Sequence, residues 1–232
     1  MDVKLVQSTP NIVEFLASIA STCYDSSPKN PMGLVNHLYK SGHHSVFEHV
    51  YFTWKVSGIS RATSHQLVRH RMCSFTQRSQ RYCDEDGFKF VTPPAAASFE
   101  YDNCMEEISK TYKSIQTFAP NEDARFVLPN ACETELYISC NLRELIHIAN
   151  ERLCSRAQWE IRELVKRMCD EVTQKSGNEF LNAWLVPKCE VRELHMCPEA
   201  SGCGKHTSFT EFQKIWNTTQ DIAEKKKESK RK

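Results

Sequence analysis

The chain has few glycines, and none of them forms a phosphate-binding pattern. Its seven glycines make neither G-x-G-x-x-G nor G-x-x-x-x-G-K-[ST], so a Rossmann dinucleotide site and a P-loop are both excluded. The pattern H-E-x-x-H is absent too, and the eleven cysteines include no C-x-x-C pair. We therefore expect most cysteines to be small, reduced, buried side chains rather than metal ligands or disulfides.

Long apolar runs are also missing. No stretch approaches the ~20 apolar residues that a membrane-spanning helix needs, and no basic start leads into a long apolar segment. These absences predict a cytoplasmic protein with no membrane contact. The formal net charge is only +1, so general binding to polyanions is not indicated.

What is present favours one α+β domain. Amphipathic helical stretches alternate with a few strand-like ones, of which residues 50–56 (VYFTWKV) are the clearest. We predict a single domain over 1–185, a cysteine- and proline-containing C-terminal appendage over 186–223, and a disordered tail over 224–232. That tail contains six bases and two acids, which leaves the rest of the chain slightly acidic.

Positive charge is concentrated within residues 69–81. This segment contains four arginines, one histidine, two glutamines and two serines, with no acid. Guanidinium groups bind phosphate bidentately, and amides and hydroxyls can recognise the edge of a planar ring. A nucleotide or cofactor site is favoured, although a nucleic-acid surface, on which Phe75 and Tyr82 stack with bases, and a solvated basic face remain alternatives.

Local signals place this segment after a helix. Ser60 is a typical N-cap, and we predict a helix over 61–71 with Gln66, Arg69 and His70 on one face. An extended segment over 71–82 should follow.

Other clusters have weaker patterns. His43, His44 and His49 lie near Glu48 without a familiar metal spacing. Further on, Cys189, Cys197, Cys203 and His206 follow the pattern C-x7-C-x5-C-x2-H, unlike paired zinc knuckles. We assign no metal and expect a loop of reduced cysteines, with zinc as the open alternative. Arg143 could simply pair with neighbouring acids, whereas a functional role for Arg152 requires that it point inward.

Several separated blocks carry a family resemblance. Arg69-His70-Arg71 with Ser79 eight residues after Arg71, together with SVFEH, SFTQRSQRY, ARFVLP, NLREL and RAQWEIR, resembles the flavin-dependent thymidylate synthase (ThyX) family over about residues 1–185. The resemblance implies helices packed on a small mixed or antiparallel sheet, in a homotetramer with active sites at subunit interfaces. It implies FAD as cofactor, NADPH as reductant, dUMP as substrate and methylenetetrahydrofolate as carbon donor, giving dTMP and tetrahydrofolate.

The resemblance also implies roles for individual residues. The cofactor would be bound by His43, Ser45, Arg69, His70, Arg71, Gln77, Asn141, Arg143 and His147. The substrate would be bound by Gln66, Arg69, Gln77, Arg78, Ser79, Gln80, Arg81, Arg125 and Arg152. Arg152 would also polarise the uracil ring, and Glu122 would serve folate handling or proton transfer.

The implied chemistry needs no enzyme nucleophile, because the reduced flavin supplies the hydride. Ser79 is therefore assigned to binding. Two alternatives remain: a non-catalytic nucleotide- or RNA-binding protein with the same fold, and a cysteine-dependent thymidylate synthase. We expect no nucleic-acid partner.

Overall fold

The computed structural model describes residues 1–23, 28–175, 177–193 and 195–229, in which helices pack against one face of a single sheet. The strands are β1 Asp2–Ser8, β2 Tyr51–Ser60, β3 Ser74–Gln77 and β4 Glu133–Asn141. The helices are α1 Ile12–Ser21, α2 Pro31–Ser41, α3 Arg61–Leu67, α4 Phe99–Gln116, α5 Asn121–Ala124, α6 Leu142–Arg152, α7 Trp159–Thr173 and α8 Phe209–Ser229. Short 3₁₀ helices occur at His44–His49 and Glu179–Ala183, among others. None of the described helices is long and apolar enough to cross a bilayer.

The four strands form an antiparallel sheet in the order β1-β2-β4-β3. Side chains alternate between its two faces, as the pleat requires. On β2, Phe52, Trp54 and Val56 are buried, while β4 buries Leu136 and Ile138. The expected mixed or antiparallel sheet is thus confirmed in its antiparallel form.

The core lies between this sheet and helices α1, α6 and α7. Fully buried residues of α7 include Leu164, Val165 and Met168. The indole Nε1 of Trp54 donates a hydrogen bond to the backbone oxygen of Met168 at 3.2 Å. This bond satisfies the one polar group that the buried indole carries and fixes α7 across the sheet.

A bulge and a buried carboxylate set the start of α3. The pairing register of β2 with β4 shifts between Ser57 and Ile59. Gly58, at this bulge, has φ +66°, a conformation that favours glycine. Ser60 then caps α3, since its Oγ accepts from the amide of Thr63 at 3.0 Å. Glu160 of α7 accepts from both the amide and the hydroxyl of Ser60, at 2.7 and 2.6 Å. The N-cap of α3 is therefore bonded directly to α7.

The predicted helix over 61–71 is too long by four residues. In the structure α3 ends at Leu67, and Arg69, His70 and Arg71 lie in turns before β3. Pairing explains the early end, because β3 bonds to β4 with Ser74 opposite Ser139. A helix continued to residue 71 would carry the chain away from that edge, so tertiary pairing overrides local propensity.

The sequence predicts a disordered tail over 224–232, whereas the structure has helix at residues 224–229. Helix α8 runs from Phe209 to Ser229, and residues 230–232 lie outside the described residues. The stretch is rich in lysine and glutamate, which are good helix formers, so high charge alone did not indicate disorder. Strand β1 was not predicted at all.

Candidate active site

Helix α3 connects two groups of predicted site residues. It has seven residues and is therefore about 10 Å long. At its C-terminal end, Gln66 and His70 meet Arg152 from α6. At its N-terminal end, Arg61 lies beside the loop that carries Arg78 and donates to the Arg78 carbonyl at 2.7 Å.

The first group centres on Arg152. Its Nε donates to Nε2 of His70 at 3.0 Å, and its Nη2 donates to the backbone oxygen of Gln66 at 3.4 Å. Arg152 is the last residue of α6, half-buried, and is turned inward as the functional interpretation requires. Three predicted site residues are thus in direct contact.

His70 is a neutral acceptor in this group. Its side chain is 6% exposed, and burial, followed by the charge of Arg152 and then His147, lowers the pKa of His70 to about 4. Because Nε2 accepts from Arg152, the single ring proton lies on Nδ1, which faces Oε1 of Glu144 at 3.6 Å. An uncharged His70 can hold the guanidinium without repelling it.

Helix α6 presents further polar groups beside His70. Oδ1 of Asn141 caps the helix by accepting from the Glu144 amide at 2.9 Å, and the ring of His147 lies edge-on to that of His70 with centroids 5.9 Å apart. Burial raises the pKa of Glu144. Arg143 forms an exposed ion pair with Glu48. A cavity of about 340 Å³ is lined by Glu48, Met72, Asn141, Arg143, Glu144 and His147.

The second group joins the loop after β3 to α5 and to Arg125, the residue that follows α5. Nε of Arg81 donates to Oε2 of Glu122 at 2.6 Å, and Nε of Arg125 donates to the backbone oxygen of Glu122 at 3.1 Å. The guanidinium of Arg81 lies 5.2 Å from the ring centroid of Tyr82. All three polar residues were predicted for the site, and Glu122 organises the two arginines.

A second cavity of about 340 Å³ opens beside these arginines. Its lining includes Arg61, His65, Gln80 and Arg125. Nε of Arg61 is buried with no hydrogen-bond partner among the described residues. Burial has the largest effect on the pKa of the Arg61 guanidinium and lowers it. A partly desolvated guanidinium with an unused donor is suited to an anionic ligand.

Two residues that were predicted to bind substrate, Gln77 and Arg78, form hydrogen bonds within the chain instead. The amide nitrogen of Gln77 donates to Ser64 Oγ at 3.0 Å and to Thr134 Oγ1 at 3.2 Å. Arg78 donates to Oε1 of Glu85 at 3.0 Å and to the backbone oxygen of Asp84 at 3.1 Å. These bonds tie β3 and its following loop to α3 and β4.

Other predicted residues are not brought into these contacts. Arg69, Arg71, His43 and Ser45 are exposed, and no side-chain hydrogen bond links any of them to the two groups in the described part of the chain. Ser79 Oγ accepts from the backbone amide of Arg81 at 3.2 Å. The structure therefore assembles the α6 and Glu122 contacts but leaves these groups on the surface.

Three contributors were missed in the sequence. Glu144 occurs there only within the block NLREL, Glu48 only beside the histidine cluster, and Arg61 only as a residue of a predicted helix. An acid three residues after an N-cap asparagine indicates a helix start, and nothing in that pattern shows that its carboxylate faces a buried histidine. His44 has a structural contact, with Nε2 3.1 Å from the Tyr39 carbonyl oxygen.

Comparison with known proteins identifies the family to which this chain belongs. The family model described as thymidylate synthase complementing protein matches residues 4–176. A flavin-dependent thymidylate synthase from Clostridium tetani is 36% identical over 92% of this chain and 96% of its own length. One from Geobacter sulfurreducens is 39% identical over 88% of this chain and 94% of its own length. The chain belongs to the flavin-dependent thymidylate synthase family.

A solved structure supports the same fold. Thymidylate synthase X from Helicobacter pylori, described with FAD and dUMP, matches with a TM-score of 0.67 over 80% of this chain and 99% of that chain. The two sequences are 20% identical. This likeness shows that the present chain has the fold of a flavin-dependent thymidylate synthase, and the α+β architecture expected from the sequence is confirmed.

Proposed function

We propose that this chain catalyses the reductive methylation of dUMP to dTMP, with methylenetetrahydrofolate as carbon donor and FAD reduced by NADPH as hydride source. Tetrahydrofolate is the second product. The observation that carries the proposal is the inward-turned guanidinium of Arg152, held by neutral His70 and by the Gln66 carbonyl in a member of this family.

The residues around His70 fit a flavin dinucleotide. Its pyrophosphate needs cations, and exposed Arg69 and Arg71 flank the buried His70. The isoalloxazine ring needs polar edges beside an apolar contact, which the cavity lined by Met72, Asn141 and His147 offers. His43, Ser45 and Arg143 extend the proposed cofactor-binding set. When bound, reduced FAD would supply the hydride.

Arg152 is assigned to activation of the pyrimidine. Methylation at C5 requires electron density at that carbon, and a guanidinium at the O2/N3 edge stabilises the negative charge that develops on the ring. Two of its five N–H groups are used on His70 and Gln66. The remaining donors can face the substrate, while the neutral His70 fixes their direction.

The second group is assigned to the nucleotide phosphate and the folate side. Arg81 and Arg125 supply charge, and the carboxylate and carbonyl of Glu122 orient them. Glu122 is also proposed for folate handling or proton transfer. Gln80, Ser79 and Gln66 complete the proposed substrate set, in which Gln77 and Arg78 support the loop through their internal bonds.

The active assembly is proposed to be a homotetramer with sites at subunit interfaces. Large apolar side chains are exposed directly beside both groups of site residues, namely Met72 at 73%, Tyr82 at 76% and Phe126 at 82%. Exposed apolar side chains clustered around a site are typical of surfaces that another subunit covers.

The function is tested first by an assay from which NADPH and FAD are each omitted in turn. dTMP formation from dUMP and methylenetetrahydrofolate should require both NADPH and FAD. A folded protein that binds no flavin and instead binds long polyanions with strong salt dependence would replace this proposal with the nucleic-acid-binding alternative.

The role of Arg152 is tested by substitution. Arg152→Ala should lower kcat by about 10²–10³-fold, the usual loss of a charge-stabilising donor, with a smaller change in KM for dUMP. Arg167→Ala is a matched control, because Arg167 forms an exposed ion pair with Glu163 on α7. Equal kcat values for the two variants would remove Arg152 from the chemistry.

A further inference from the structure

Four of the eleven cysteines converge on one small cavity outside the site described above. The cavity, about 90 Å³ in volume, lies where the C-terminal segment meets the end of α6. Its cysteines and histidine come from separate parts of the sequence: Cys154, Cys189, Cys197, Cys203 and His206. No cysteine of the described residues forms a disulfide.

Two residues that line the cavity, Cys189 and His206, lie at metal-ligand spacing together with the neighbouring Glu190. Sγ of Cys189, a carboxylate oxygen of Glu190 and a ring nitrogen of His206 lie within 4.8 Å of one another. Nε2 of His206 is buried and makes no hydrogen bond among the described residues, although it lies 3.7 Å from Oε1 of Glu190. A buried ring nitrogen without a partner is costly unless another ligand uses it.

Glu190 has another partner. Its carboxylate pairs with the ammonium of Lys205, which accounts for its charge. The neighbouring donors are then thiols and one imidazole. Sulfur with nitrogen in a site of four ligands is the donor set that selects zinc over magnesium or calcium.

The backbone closes the segment around these donors. The amide of Cys197 donates to the oxygen of Thr207 at 3.0 Å, and the amide of Phe209 donates to the oxygen of Cys197 at 2.8 Å. Gly204, between Cys203 and His206, has φ +88°. The chain therefore turns back on itself with Cys203 and His206 on the same short turn.

We propose that this cavity is a structural zinc site, in which Cys189 and His206 are two ligands and two of Cys154, Cys197 and Cys203 complete a tetrahedron. Each coordinating thiol gives its proton to solvent when zinc binds, and no electron is transferred. With Cys154 among the ligands, the site would fasten the C-terminal segment to the chain just after α6, two residues beyond Arg152.

Polar contacts already join the same two parts. The amide of Lys188 donates to the Asn150 carbonyl at 3.0 Å, and Arg156 donates to the Ser201 carbonyl at 2.7 Å. A metal between them would add a stronger link and would help to hold Arg152 in place. The inference concerns stability and position, and it does not depend on the proposed reaction.

Metal analysis of the full chain tests the proposal. Protein purified under reducing conditions and dialysed against excess free Zn²⁺ and then buffer should retain one zinc per chain. Co²⁺ substituted for it should give the absorption of a tetrahedral thiolate site. The double variant Cys189→Ser/His206→Ala should lose the metal, whereas Cys104→Ser, at an exposed cysteine on α4, should keep it.

Two results would overturn the inference. One is zinc retained in full by the double variant, and the other is wild-type protein that retains no zinc, whether its thiols stay reduced or form a disulfide, which intact mass shows as the loss of two hydrogens. Chelator should also lower the thermal midpoint of wild type but leave that of the folded double variant unchanged.

Discussion

At the scale of single residues, the pKa of His70 links the active site to stability. Burial and the Arg152 charge lower this pKa from 6.5 to about 4. Between these two values the unfolded chain binds a proton that the folded chain does not, so folding becomes less favourable as pH falls. We expect His70 to reduce the free energy of unfolding by about 3 kcal/mol at most over this range.

The measurement is chemical denaturation between pH 7 and pH 4, for wild type and for His70→Gln. Carboxylates titrate in both proteins, so the difference between the two curves isolates the histidine. The wild type should lose more stability than the variant as pH falls. Parallel curves would show that His70 titrates normally.

Cysteine chemistry can also be decided at this scale. Cys132 lies beside the second group of site residues, where the amide nitrogen of Gln80 donates to its sulfur at 3.6 Å. Burial raises the pKa of Cys132 to about 11, so the nucleophilic thiolate is scarce at neutral pH. Cys132→Ala should therefore keep kcat within about threefold of wild type, as expected when no covalent step is made through sulfur.

Steady-state kinetics of folded Cys132→Ala measures whether kcat depends on this thiol. Complete loss of dTMP formation, with flavin still bound and an unchanged thermal midpoint, would favour the cysteine-dependent alternative.

At the scale of secondary-structure elements, the link between α3 and α7 positions the site. Glu160 is 2% exposed and accepts two hydrogen bonds from Ser60. Glu160→Ala leaves the N–H and the O–H of Ser60 buried without an acceptor, so we expect a loss of about 3 kcal/mol. Glu163→Ala on the same helix removes only an exposed pair with Arg167 and should cost about 0.5 kcal/mol.

Urea denaturation of the two variants measures this contrast. Similar losses for both would mean that the buried carboxylate contributes no more than a surface charge. A loss confined to Glu160→Ala, accompanied by weaker flavin binding, would show that the start of α3 is held from α7.

The same scale shows what the sequence could and could not predict. The N-cap Ser60 was found because a cap is a local hydrogen bond. The end of α3 at Leu67 was not found, because it depends on β3 pairing with a strand more than fifty residues away. Strand β1 was missed because only Val3 and Leu5 are buried in it.

The same distinction between local signals and tertiary contacts applies to the site residues. A motif indicates which side chains share a function, and the contact of Arg152 with His70 agrees with that indication. The motif does not show that Gln77 and Arg78 donate their hydrogen bonds within the chain. Those bonds depend on where the fold places the acceptors, which are Ser64, Thr134 and Glu85. Roles that depend on a partner's position need the fold.

At the scale of the whole molecule, the two groups of site residues lie at opposite ends of α3. Exposed Met72 adjoins the first group, and exposed Tyr82 and Phe126 adjoin the second. If neighbouring subunits cover both surfaces, as proposed, one active site takes its first group from one subunit and its second from another.

This arrangement predicts complementation between inactive variants. Arg152→Ala damages only the first group and Arg81→Ala only the second, so a mixed assembly contains some sites with both groups intact. Refolding or co-expressing the two variants should restore dTMP formation well above the activity of either alone. Light scattering should give four times the chain mass of 26.8 kDa. If native mass spectrometry confirms mixing but activity does not return, both groups of each site belong to one subunit, and the apolar surfaces serve assembly without completing the site.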